Sequence, residues 1–180
     1  MAISQFGISL MTIKSCLIPV IAIIAFLLLP LSCKDSVGDL PPVLVSINST
    51  HTDMKLVNEV SVDIEIDPKG RGISGGEIYL KFTPEAFVLS EIASGELLGK
   101  DPLVGAHVVD TTSGTILYAI ARRGPTSVPT QTSVFARLTF TVPDGTKPGI
   151  YEFSLITVGL SDNWFQDIDL IKLTSGNIQL

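Results

Sequence analysis

The sequence has few residues that could carry disulfide or metal chemistry. Its only two cysteines, Cys16 and Cys33, lie in or beside an apolar run near the N-terminus. The rest of the chain therefore has no disulfide and no thiol chemistry. The two histidines, His51 and His107, are far apart in sequence, whereas a metal site needs several converging ligands. We expect no metal and no cofactor, and a domain held together by its hydrophobic core alone.

Patterns typical of enzymes are also weak. The glycine-rich stretch from Pro68 to Gly76 precedes a turn rather than a helix, which does not suggest a nucleotide-binding loop. Two carboxylate pairs, Asp63 with Glu65 and Asp167 with Asp169, resemble solubilising residues on the wet side of a strand. The sequence therefore predicts that the protein is not an enzyme.

Positive charge is sparse in the main part of the chain. All 18 Asp and Glu residues and 11 of the 12 Lys and Arg residues follow Cys33, which gives this part a net charge of −7. Its longest basic run is Arg122-Arg123. A surface of this kind is a poor binder of nucleic acid and of anionic lipid. We interpret the acidity as a source of solubility outside the cell.

The N-terminal segment, residues 1–33, is predicted to be a signal peptide or a membrane anchor. No residue from Ser15 to Ser32 is charged, and Lys14 precedes this run. Three outcomes fit the pattern: lipidation of Cys33, an uncleaved anchor, and simple cleavage. Translation could start at Met1 or at Met11. Each outcome predicts an extracytoplasmic protein, and the first two predict a cell-surface protein anchored in the membrane.

Residues 34–42 are predicted to form a short polar tether, and residues 43–180 are predicted to form one domain of short strands. The segment from Val60 to Ile66 alternates apolar and polar residues without interruption. Ile150–Leu160 changes phase midway, which predicts a β-bulge or a strand that switches sheets. We expect an all-β fold, an antiparallel β-sandwich or jelly roll of about nine strands. The candidate strands are Val43–Ile47, Val60–Ile66, a hairpin within Gly75–Leu89, Leu103–Val109, Thr115–Ala121, Val134–Val142 with strict alternation, Ile150–Leu160, Ile168–Leu173 and Asn177–Leu180.

Several segments together resemble the cohesin family. The strand, x-Pro turn and apolar run of Gly75–Leu89 resembles the early core hairpin of that family. The segments Gly114–Ala119 and Val134–Val142, then Pro148–Tyr151, and the ending Ser175–Ile178, follow in the family's order. The resemblance runs from about Val43 to Leu180. It implies a β-sandwich that captures a protein carrying a dockerin module, with calcium held by the partner.

The resemblance also implies a binding surface. Cohesins hold the dockerin on the sheet whose strands match Glu77–Phe82, Leu103–Val109, Thr115–Ala121 and Tyr151–Leu155. The strand Thr115–Ala121 is apolar on both faces, which suits a protein interface. The expected outward residues are Glu77, Tyr79, Lys81, His107, Leu117, Ala119 and Ala121, with Glu152 at the edge.

Two other functions stay open. Carbohydrate-binding modules stack exposed aromatic rings on sugars, and Trp164 and Tyr79 are the best candidates for such contacts. The partner would then be a polysaccharide. The third possibility is a structural envelope lipoprotein with a cohesin-like fold, because a fold does not determine a function.

Overall fold

The computed structural model describes residues 40–50, 59–124 and 127–180. Within these residues the chain forms ten β-strands and no helix. Alternating apolar residues and β-branched side chains favour extended backbone in these segments. The strands are β1 (Val43–Thr50), β2 (Glu59–Asp67), β3 (Gly75–Lys81), β4 (Val88–Ser94), β5 (Leu103–Asp110), β6 (Thr115–Ala121), β7 (Ser133–Thr141), β8 (Ile150–Ser161), β9 (Ile171–Thr174) and β10 (Gly176–Gln179).

The strands form two five-stranded sheets. Sheet I has the order β4-β7-β2-β1-β9, and sheet II has the order β10-β8-β3-β6-β5. Neighbouring strands run antiparallel, except that β1 and β9 are parallel. The inward residues of both sheets share one hydrophobic core. The predicted all-β sandwich is confirmed.

Aromatic packing fills one end of the core. Phe140 of β7 lies between Phe82 and Phe153, with ring centroids 5.1 Å from each. Phe87 packs on Phe153 at 5.0 Å. All four rings are almost fully buried. Because they come from both sheets and from the connection between β3 and β4, they join the two layers of the sandwich.

The segment Gly75–Leu89 is not a hairpin, so that prediction is wrong. Strands β3 and β4 belong to different sheets, and β4 pairs with β7. The carbonyl oxygen of Thr83 accepts hydrogen bonds from the N–H groups of Ala86 and Phe87, which turns the chain after Pro84. Phe82 and Phe87 are both buried in the core, so the connection between β3 and β4 crosses from sheet II to sheet I. A turn signal alone does not say whether the next strand pairs or crosses.

Two β-bulges set the faces of the long strands. In β8, Leu155 pairs with Leu80 and Thr157 pairs with Tyr79, so Ile156 is the extra residue. This confirms the predicted phase change. Strand β7 was expected to alternate strictly, but Phe135 and Ala136 are both buried. The register between β2 and β7 shifts at this point, so the expectation of strict alternation is wrong.

The membrane predictions fall largely outside the described residues. Among those residues there is no helix of sufficient length and hydrophobicity to span a bilayer. The segment 1–33, including Cys33, is not described, and the same holds for most of the tether. The predictions of a signal, an anchor or lipidation therefore stay predictions.

Candidate functional site

The outer face of sheet II presents four rows of side chains that cross four strands. Cross-strand registers between β5, β6, β3 and β8 define the rows, because residues directly opposite each other point to the same side of a sheet. Listed from β5 to β8, they are Asp110, Thr115, Lys81 and Ser154; Val108, Leu117, Tyr79 and Thr157; Ala106, Ala119, Glu77 and Gly159; and Leu103, Ala121, Gly75 and Ser161.

The middle of this face is apolar and its surroundings carry charge. Val108 is 57% exposed and Tyr79 is 36% exposed. Leu117 and Ala119 belong to β6, which lies between β5 and β3, and both are partly exposed. Glu77 and Lys81 are exposed, and among the described residues neither forms a salt bridge. Both charges are thus available to a partner. Small and apolar residues in the centre with charges around them match the composition of protein–protein interfaces.

The outer face of sheet I differs sharply. Near its centre, charged and polar side chains pair with each other: Arg137 makes two hydrogen bonds to the carboxylate of Asp63, at 2.6 and 2.7 Å. This bidentate contact raises the pKa of the Arg137 guanidinium. Asn48 donates a hydrogen bond to Glu65 at 2.6 Å. The centre of this face thus holds charged and polar groups that already have partners, whereas the centre of the outer face of sheet II is apolar, so the two outer faces are not equivalent.

Seven of the eight predicted interface residues lie on the outer face of sheet II. Four of them occupy the two central rows, and the central pairs are Tyr79 with Leu117 and Glu77 with Ala119. Glu152 is exposed on β8, two residues before Ser154, and therefore points to the same side. The others are Lys81 in the first row and Ala121 in the fourth.

His107 does not lie on this face, so its assignment as an outward residue is wrong. It pairs with Tyr118 of β6, whose side chain is buried on the inner side of the sheet. The two rings meet edge to face with centroids 5.9 Å apart. Burial raises the pKa of the Tyr118 hydroxyl. A bulge at Gly105 shifts the register of β5, so that His107, although exposed on this edge strand, lies on the same side of the sheet as Tyr118.

The same bulge reveals outward residues that the sequence reasoning missed. Leu103, Ala106 and Val108 contribute the β5 side of the face, and Leu103 is 49% exposed. The available signal was Gly105 itself, because a glycine inside a strand often marks a bulge. The bulge makes the apolar centre broader than β6 alone suggested.

The two candidate sugar-stacking residues lie on different elements. Tyr79 belongs to the second row on β3, whereas Trp164 lies in the loop after β8 and is 75% exposed. That loop follows Ser161, which is in the fourth row. The aromatic side chains therefore do not adjoin across a shared row, and a continuous aromatic strip is not formed by this pair.

One enzyme-like spacing deserves a structural answer. The residues Gly72, Ser74 and Gly76 have the Gly-x-Ser-x-Gly spacing of a nucleophile elbow. Here Ser74 is fully buried and is followed by strand β3 instead of a helix, so its hydroxyl does not face a substrate site. Within the described ranges, no group of three or more His, Cys, Asp or Glu residues could hold a metal ion.

Comparison with known proteins agrees with this architecture. The sequence matches the Cohesin domain family over residues 45–180. No curated protein matches the chain.

The structure resembles solved cohesin structures from bacteria and an archaeon. The OlpA cohesin of Clostridium thermocellum, solved in complex with a dockerin, matches this structure with a TM-score of 0.64 at 15% identity. The match covers 77% of this chain and 98% of that one. The seventh ScaB type I cohesin of Pseudobacteroides cellulosolvens matches with a TM-score of 0.61 at 22% identity, over 76% of this chain and 90% of that one. A non-cellulosomal cohesin of Archaeoglobus fulgidus matches with a TM-score of 0.59 at 12% identity, over 77% of this chain and 90% of that one. At these identities the structural likeness shows the fold, and the family match covers most of the sequence. The chain therefore belongs to the cohesin domain family.

Proposed function

We propose that this cohesin domain is a non-catalytic module at the cell surface that captures a dockerin-bearing protein, in the service of polysaccharide degradation. The observation that carries the proposal is the difference between the two outer faces. Sheet II exposes an apolar centre around Leu117 and Ala119 with the unpaired charges of Glu77 and Lys81 around it, whereas the centre of sheet I holds the ion pair of Asp63 and Arg137. Interfaces of stable complexes need such an apolar, desolvated centre.

The known relatives support the choice of partner. Cohesins of similar structure from Clostridium thermocellum and Acetivibrio cellulolyticus were solved in complex with dockerins. The resemblance implies that calcium belongs to the partner, because dockerins carry EF-like loops. A polysaccharide-active enzyme is the kind of protein that such a dockerin would display.

Attachment to the membrane is part of the proposal and rests on the sequence. The uncharged run from Ser15 to Ser32 and the cysteine at position 33 support lipidation or an uncleaved anchor. Either would place the sandwich outside the cytoplasm on a short tether. The captured enzyme would then be held close to the cell.

Reversal of the two charges tests the proposed face. The double variant Glu77→Lys, Lys81→Glu keeps the net charge but inverts the local pattern, so we expect dockerin binding to fall at least tenfold, about 1.4 kcal/mol. Binding should be measured by calorimetric titration against a panel of purified dockerins. Unchanged binding to a dockerin that the wild-type chain recognises would refute this face.

The carbohydrate alternative makes the opposite demand. If the sandwich bound polysaccharide directly, Trp164→Ala would abolish retention on the sugar and the charge reversal would not. A polysaccharide array with both variants separates the two functions. Insensitivity of every ligand to all of these changes would favour the structural envelope role.

A further inference from the structure

Two adjacent aromatic residues project from the loop after β8. Trp164 is 75% exposed and Phe165 is 62% exposed. Large aromatic side chains are mostly buried in folded proteins, so two adjacent exposed ones indicate a contact surface. The proposed capture function does not use them, since they follow the last row of the outer face of sheet II.

The loop holds these aromatics in a fixed conformation. The Asp162 carboxylate accepts hydrogen bonds from the N–H groups of Trp164 and Gln166, at 2.8 and 2.9 Å. The backbone of Asp162 also exchanges hydrogen bonds with Gln166 and Phe165. Phe165 has a φ of 59°, which is a costly conformation for a bulky residue. A closed, strained loop presents its side chains with less loss of entropy on contact than a floppy one.

The aromatic loop lies at the end of the sandwich where the described chain begins. The Arg71 guanidinium donates hydrogen bonds to the carbonyl oxygens of Leu40 and Pro41, which fixes the start of the domain. A shallow cavity joins Leu40 to Asp162 and Leu170. Leu40 and Leu170 are themselves 44% and 53% exposed. Exposed apolar residues therefore gather around the point where the tether enters.

The length of the tether limits how far this end can be from Cys33. Six residues, numbers 34–39, separate Cys33 from Leu40. The seven Cα–Cα steps from Cys33 to Leu40 span at most about 25 Å when fully extended. If Cys33 sits at a membrane surface, Leu40 and the loop beside it lie within that reach of the lipid.

We propose that Trp164 and Phe165, with Leu40 and Leu170 beside them, form a tip that contacts the lipid bilayer and orients the domain on its membrane. This inference rests on the membrane attachment in the proposed function. Trp is well suited to the membrane interface, where one side of the ring meets hydrocarbon and its N–H meets water. The contact is apolar in character, because Asp167 and Asp169 nearby would repel anionic lipid.

The chain contains a single tryptophan, so its fluorescence reports on this tip alone. The full chain is reconstituted in phosphatidylcholine vesicles with and without bromine on the acyl chains, and vesicles are recovered by flotation. We expect a blue shift of the emission and a loss of intensity in the brominated vesicles. High salt should leave both unchanged, since the contact is not electrostatic. The variant Phe165→Ser should weaken the quenching.

A matched variant moves the reporter away from the tip. In Trp164→Phe, Tyr79→Trp, the tryptophan lies on the outer face of sheet II, and we expect no quenching by brominated lipid. Quenching at both positions would mean that the domain lies on that face and would overturn the proposal. If the chain floats with the vesicles but Trp164 is not quenched, the lipid-contacting tip is wrong and membrane attachment stands. If the chain does not float, both the tip and the membrane attachment are wrong. A shift of Trp164 emission on adding soluble polysaccharide, with no quenching by lipid, would assign the tip to sugar instead.

Discussion

At the scale of single residues, Ala119 occupies the middle of the proposed interface. It lies between Ala106 and Glu77 in the third row, at partial exposure. Its small side chain lets a partner approach the sheet closely. A large charged residue at this position would obstruct that approach and would have to be desolvated in the complex.

The variant Ala119→Arg should therefore weaken dockerin binding by tenfold or more, about 1.4 kcal/mol, in a calorimetric titration. The matched control is Thr139→Arg on the outer face of sheet I, where Glu91 is the cross-strand neighbour just as Glu77 is for Ala119. Equal loss of binding in both variants would indicate an effect on the fold rather than on the face.

The ion pair of Asp63 and Arg137 predicts an asymmetry in stability. The side chain of Asp63 is only 8% exposed, whereas that of Arg137 is 53% exposed. Removal of the arginine leaves a nearly buried carboxylate without its partner, but removal of the aspartate leaves a guanidinium that water can solvate. We expect Arg137→Ala to lower the free energy of unfolding by about 2 kcal/mol, and more than Asp63→Ala does, in urea denaturation. The reverse order would contradict the assigned burial.

Asp110, at the end of β5, predicts a measurable titration. Its carboxylate accepts hydrogen bonds from the N–H groups of Thr112 and Ser113, at 2.8 and 3.1 Å. Hydrogen bonds from the Ser113 side chain, Ser113 N–H and Thr112 N–H lower the pKa of Asp110 below 3.8. The stabilisation is present above that value and is lost as the pH falls through the lowered pKa. An NMR titration midpoint at or above 3.8 in the folded chain would refute these contacts.

At the scale of elements, the turn from β5 to β6 depends on Gly114. This residue has a φ of +67°, and a Cβ there would lie 2.3 Å from the carbonyl oxygen of Phe82. That oxygen lies where β3 leaves its sheet, so the turn and the crossing are packed together. The Gly114 carbonyl in turn accepts a hydrogen bond from the Phe82 N–H at 2.8 Å.

We expect Gly114→Ala to lower the free energy of unfolding by at least about 2 kcal/mol, because the added Cβ would strain the backbone and clash with Phe82. Gly145→Ala is the control, since Gly145 also has a positive φ but its added Cβ would meet nothing within 4 Å. Backbone strain alone should cost about 1 kcal/mol there. The two costs are compared by denaturant midpoints, and equal values would contradict the close approach of Gly114 to β3.

Local sequence patterns predict the strands better than their partners. The apolar run Thr115–Ala121 gives β6 with its observed bounds, and the phase change in β8 appears where expected. The partner of β4 was not predictable, because its pairing with the distant β7 depends on the burial of Phe82 and Phe87 in the whole core. The face of His107 was missed for a related reason: one extra residue reverses every side chain after it.

At the scale of the whole molecule, the match over residues 45–180 makes the chain a member of the cohesin domain family. Cohesin domains are binding modules rather than enzymes, so the prediction that this protein is non-catalytic is confirmed. The centre of one outer face is apolar, and the centre of the other holds the ion pair of Asp63 and Arg137. The proposed lipid tip would lie at the Gly75 and Ser161 end of sheet II, leaving the apolar rows accessible to a partner.

The most direct test of the capture function is a pull-down from the exported proteins of the source organism, with the full chain as bait and with and without a calcium chelator. The account predicts a protein with duplicated EF-like loops that is retained by the wild-type chain and by Thr139→Arg, and is lost with chelator or with Ala119→Arg. Absence of such a protein, or its equal retention by Ala119→Arg, would contradict dockerin capture by the outer face of sheet II.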